Sequence, residues 1–147
     1  MFGAFLEKLT APRPERLPQD DARLALTALL VRVARSDGAY DPAEVARIER
    51  IVAVRYGLDG TASAALREQA EALEAEAPDT VRFTRAIKDA VALEDRIAII
   101  EALWQVVLVD GVRDDGEDAL LRLVASLLGV NDRDSNLARK RVMDAAP

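Results

Sequence analysis

The 147-residue chain contains no cysteine and no histidine. The first absence removes disulfides and thiol nucleophiles. The second removes Ser-His-Asp arrangements and, together with the first, the usual ligands of zinc. A metal held by this chain must be held by oxygen, which favours a hard cation such as Ca²⁺ or Mg²⁺ over Zn²⁺. No apolar run approaches the roughly 20 residues that a membrane-spanning helix needs. The N-terminal MFGAFLEKL lacks the basic region and cleavage site of a signal peptide, so a cytoplasmic location is expected. Glycine is scarce, at seven residues, and no glycine-rich motif is present to cradle a phosphate. Positive charge is also in deficit. A net charge of −6 makes a poor nucleic-acid binder unless the basic residues cluster. The nearest cluster, Arg139-Lys140-Arg141, is diluted by Asp132, Asp134 and Asp144 and reads as a solvated helix end.

What is present points to helices. Half of the residues are apolar and 31% are charged, a globular balance, and alanine and leucine are abundant. The spacing predicts an all-α fold, a compact bundle of about seven helices over 21–36, 42–56, 61–76, 80–91, 94–109, 115–128 and 134–144. The first and fifth are apolar on most faces and should be buried. The Glu/Ala run in the third reads as a solvated face, and the seventh carries a weak stripe that allows fraying. This domain, 19–147, follows an N-terminal segment, 1–18. There Phe2, Phe5, Leu6 and Leu9 form a small apolar face, followed by a linker with three prolines. That short helix is expected to dock on the domain, and a weak membrane or partner contact by residues 2–9 is the alternative.

One acidic octet occurs twice. DGAYDPAE runs from Asp37 to Glu44 and DGVRDDGE from Asp110 to Glu117, both fitting D-G-x-x-D-x-x-E. Around them a longer repeat holds. Arg23, Ala25, Leu30 and Val33 match Arg96, Ala98, Leu103 and Val106 at an offset of 73, and a one-residue slip then brings Gly57 onto Gly129. Two helix–loop–helix units, 21–58 and 94–130, should therefore flank an insert of two helices and be related by a pseudo-twofold axis. Asp41 and Asp114 stand where an N-cap belongs, with Glu44 and Glu117 at the third helical position for a capping box. Capping leaves Asp37 and Asp110 unexplained. Each sits at a helix C-terminus, where a carboxylate opposes the helix dipole. Either they accept hydrogen bonds from the amides just after them, or they bind a cation with their neighbours. The spacing is not that of an EF-hand, whose glycine stands sixth in the loop.

The segments ALLVRVARSDGAYDPAEVARIERIV and DRIAIIEALWQVVLVDGVRDDGEDALLRLVASLLGV resemble the two halves of TerB-like tellurite-resistance proteins. The resemblance covers about residues 20–145. It is also similar to the central region of membrane-anchored DnaJ-like co-chaperones, although a chain without histidine has no J-domain motif. The resemblance implies a helical bundle with internal pseudo-symmetry and a role in tellurite or chemical-stress response. It further implies a divalent-cation site at Asp37, Asp41, Glu44, Asp110, Asp114 and Glu117. Nothing in the chain supplies a positioned general base, so the expected role is non-enzymatic, a cation-holding domain that meets protein partners. The competing expectation is a metal-independent interaction module whose acidic loops are only helix caps. The last helix and the N-terminal arm are both candidates for a dimer contact, and the sequence does not choose.

Overall fold

The computed structural model describes residues 2–10, 19–35, 40–77, 79–108 and 115–145, with the side chains of 8–10, 19, 107–108, 115–118 and 120 left outside that description. Among these residues there are eight α-helices and no strand. They are α1 (Gly3–Thr10), α2 (Gln19–Ala34), α3 (Pro42–Tyr56), α4 (Gly60–Glu76), α5 (Thr80–Ala90), α6 (Leu93–Leu108), α7 (Asp115–Leu127) and α8 (Asp132–Ala145).

The two most apolar helices form the centre. Every side chain from Leu24 to Val31 is buried on α2, and Ile99, Ile100, Ala102, Leu103, Trp104 and Val106 are buried on α6. The two helices pack against each other, and each fully buried Leu or Ile contributes about 1.5–3 kcal/mol. Thr27 and Thr84 are fully buried as well. Each hydroxyl donates to a carbonyl one turn back, Arg23 O at 2.7 Å and Thr80 O at 2.6 Å, so neither is left unsatisfied.

The repeat is larger than the sequence reading expected. α2 packs along α4 as α6 packs along α8, and α3 touches α6 as α7 touches α2. This reciprocity is that of a pseudo-twofold axis between α2 and α6. It makes each half three helices, α2–α3–α4 and α6–α7–α8. The expected two-helix insert is corrected to one helix, α5. The local chemistry agrees: GLDGTAS at 57–63 lines up with GVNDRDS at 129–135. Gly57 (φ 64°) and Gly129 (φ 72°) both turn left-handed behind a helix. Asp59 caps α4 by accepting from Ala62 N–H, and Asn131 accepts from Asp134 N–H at the start of α8. Ser63 and Ser135 are both buried one turn later. The repeat of the third helix is hard to see because only its cap and one buried serine recur. α4 is acidic along its length, whereas Arg139-Lys140-Arg141 makes α8 basic.

One further expectation changes, and the weak stripe of α8 proves to be packed. Ser135, Ala138 and Val142 are buried, and Ser135 Oγ accepts from Trp104 Nε1 at 3.3 Å. The Glu/Ala run of α4 is only partly solvated, because Glu71 and Glu74 turn inward to basic partners. The short N-terminal helix does dock. Phe2, Phe5 and Leu6 pack against the core, α1 lies on α5, and Phe2 N–H donates to Glu76 at 3.1 Å.

The two glycine turns yield a graded prediction. A Cβ at Gly57 would meet nothing within 4 Å, so Gly57→Ala is expected to cost only the left-handed backbone penalty, about 1–2 kcal/mol. At Gly129 it would lie 2.9 Å from Lys88 Cε and 3.0 Å from Arg96 Nη1. Arg96 bonds the Val91 and Leu128 carbonyls there, tying the ends of α5 and α7 together. Gly129→Ala should therefore cost measurably more than Gly57→Ala in urea unfolding. Equal costs would contradict this reading of the α7 terminus.

Candidate functional site

The first octet enters α3 through an N-cap. Asp41 has extended backbone (φ −93°, ψ 169°) and accepts from Glu44 N–H at 3.0 Å, and Pro42 stands at the first helical position. This is the capping expected of these residue types, worth about 1 kcal/mol. The Asp41 side chain is exposed, whereas Glu44, in the first turn, is buried at 9% exposure. The positive end of the helix dipole supports a carboxylate at that depth. Asp37, Asp110 and Asp114 lie outside the described residues, and so does the side chain of Glu117, whose backbone is in the first turn of α7. Among the described residues, no group of three or more acidic side chains is arranged to hold a metal ion.

A contact links the surroundings of the two octets. Arg47, three residues past Glu44, donates from Nη1 to the Val106 carbonyl at 3.4 Å. Val106 lies four residues before Asp110, in the last turn of α6. Farther along the same pair of helices, Arg55 Nη2 lies 3.8 Å from Glu101 Oε1. As α3 advances its partners on α6 recede, so the two helices run antiparallel. The start of α3 therefore stands beside the end of α6, from which the second octet departs. Arg47 thus supplies a donor to a carbonyl in the last turn of α6, where intrahelical donors run out.

Sequence reasoning missed the residues that hold the first octet's exit. Tyr40, its fourth residue, is half-buried and fastened on two sides. The Arg35 guanidinium lies 5.0 Å above its ring, and its hydroxyl donates to Glu71 Oε1 at 3.3 Å. Glu71 also takes Arg67, which donates from Nε to Glu49 at 2.9 Å. A chain of contacts thus runs from the octet through α4 to α3. A tyrosine inside an acidic turn, in a chain with two tyrosines, was the available signal. The second octet has Arg113 at that position, and Met143 aligns with Glu71, so this chain of contacts belongs to the first half alone.

Burial, and then the Glu71 carboxylate, push the Tyr40 hydroxyl up to about 12 from its ordinary 10.0. The unfolded chain loses this proton first, so folding stability is unaffected below about pH 10. It should fall between pH 10 and about 12 as the unfolded state alone ionises. Urea unfolding of the wild type and Tyr40→Phe across that range checks the sign. The variant should show the shallower decline.

The family comparison agrees with this architecture. The model for tellurite resistance protein TerB matches residues 23–140, from the first turns of α2 into α8. The chain belongs to the TerB family. No curated protein and no solved structure gives a significant match. Both octets, the Tyr40 contacts and the Arg47–Val106 bond fall inside the TerB match, whereas α1 lies outside it. The donors of the TerB octets are all oxygen, which suits a hard divalent cation and does not suit zinc. One oxygen of Asp41 is already committed to its cap. No helix among the described residues is long and apolar enough to cross a membrane.

Proposed function

We propose that this TerB domain is a non-enzymatic module of a cytoplasmic tellurite or chemical-stress response. It holds a divalent cation, Ca²⁺ or Mg²⁺, at one end of its bundle and presents surfaces to protein partners. Asp37, Asp41, Glu44, Asp110, Asp114 and Glu117 would hold the ion. The observation that carries the reading is the Arg47–Val106 bond, because it sets the start of α3 beside the end of α6. Were the six carboxylates to meet there they would repel one another, and a divalent cation would offset that repulsion. It also gives Asp37 and Asp110 a role that capping does not. Binding to the folded state alone would stabilise it by about 2.7 kcal/mol at a hundredfold excess over Kd. Thermal melting of the metal-stripped protein should then shift upward saturably with Ca²⁺ or Mg²⁺.

A second reading rests on Arg47 itself. Its guanidinium already stands at this end of the bundle and supplies positive charge without a metal. In that case Asp41 and Glu44 are a helix start, Asp37 and Asp110 brace their own loops, and the function lies wholly in partner surfaces. Melting curves would then be flat in both cations.

A further inference from the structure

α5 and the short α1 are the helices outside the two three-helix halves, and the outward face of α5 is not needed to build them. It is also the most cationic described helix of a chain whose net charge is −6, with Arg82, Arg85 and Lys88 against Asp89. Asp79, its N-cap, is the other acid at this helix. All three cations are exposed, and none makes an ion pair among the described residues. Arg32, Arg35, Arg55, Arg67 and Arg141, in contrast, each hold a carboxylate. Val81 is 41% exposed in the first turn of α5, and Leu93 is 45% exposed just beyond its end. Val81, Arg85 and Lys88 follow i, i+4, i+7 and so share one stripe. The ridge therefore presents unpaired positive charge beside the exposed Val81, with the exposed Leu93 following at the start of α6.

We infer that the α5 ridge is a docking surface for an acidic amphipathic helix of a partner protein. The partner's carboxylates would meet Arg82, Arg85 and Lys88, and its apolar stripe would meet Val81 and Leu93. Three unpaired cations spaced i, i+3 and i+6 complement a row of acids, and the exposed Val81 beside them offers an apolar contact. A lipid surface fits less well. The exposed large apolar side chains described are all aliphatic or Met, without the aromatics that seat proteins at bilayer interfaces, and the chain's overall negative charge opposes an anionic bilayer.

The probe is a labelled synthetic helix of about four turns, with leucine at i, i+3, i+4 and i+7 and glutamate elsewhere. Its twin has lysine in place of glutamate. The full chain is titrated in chelator, which removes the cation question, and vesicles rich in phosphatidylserine are tested in parallel. The glutamate helix should bind saturably and weaken with salt. The Arg82→Glu/Arg85→Glu variant should lose about tenfold or more in affinity with an unchanged melting temperature, since both side chains are exposed. Equal binding of the two helices, an unchanged affinity in the variant, or binding to the vesicles but not to the helix would each overturn the inference.

Discussion

Phe83→Ala is expected to destabilise the fold by about 3–5 kcal/mol, the largest effect of any substitution considered for this chain. Phe83 is fully buried on α5, and the Arg32 guanidinium of α2 lies 5.2 Å over its ring. The aromatic side chain therefore joins α5, which lies outside the repeat, to the central α2. Removing it leaves a cavity and also uncovers a charged group that the ring helps to shield. For a domain of this size roughly 2–4 °C of melting temperature follows each kcal/mol, so a fall of about 10 °C is expected. Phe83→Leu keeps most of the volume and should cost far less. Thermal melting and urea unfolding of both variants check the ranking. A loss below about 1 kcal/mol for Phe83→Ala would mean that α5 is not anchored by this side chain.

Glu74→Ala should come next, at about 2–3 kcal/mol. Glu74 Oε1 accepts from Arg32 Nε at 3.2 Å, its other oxygen lies 3.4 Å from Arg35, and its backbone carbonyl accepts from Arg32 Nη2. The Arg32 and Glu74 side chains are only 14% and 12% exposed, so their attraction is weakly screened. Taking away the carboxylate removes the charge that Arg32 meets between α2 and α4, and the loss of that pairing is the main cost. The small residual exposure keeps the figure below that of a wholly buried pair. Replacing both partners, as in Arg32→Met/Glu74→Met, should recover most of the loss, because two packed apolar chains need no counter-charge. A double-mutant cycle reads the coupling directly. A Glu74→Ala cost within the range of an exposed surface pair would contradict the account of α4.

These two side chains show where the sequence was legible. The burial of α2 and α6 could be read from apolar residues on nearly every helical face, and the start of α3 from Asp41-Pro42. Gly57 and Gly129 marked their turns because a left-handed backbone favours glycine. Glu71 and Glu74 misled, because a Glu/Ala run looks the same whether it faces water or arginines on a neighbouring helix. The kinship of α4 and α8 was hidden for a related reason: packing preserved their caps and buried serines while their surface charge diverged. At the octets the repeat showed that one acidic stretch is duplicated. Only the contact between Arg47 and Val106 showed that the helices beside them meet at one end. That contact joins residues 59 positions apart and leaves no pattern in a single chain.

The central claim is that the octet is doubled because two turns build cation sites. Its most direct test is calorimetric titration of the metal-stripped protein with Ca²⁺ and with Mg²⁺, beside the Asp37→Asn/Asp110→Asn variant. The account predicts saturable binding of at least one of these cations by the wild type and its loss in a variant that still unfolds cooperatively. No binding of either cation by the wild type, with the variant merely less stable, would contradict it and leave the octets as helix caps and loop braces.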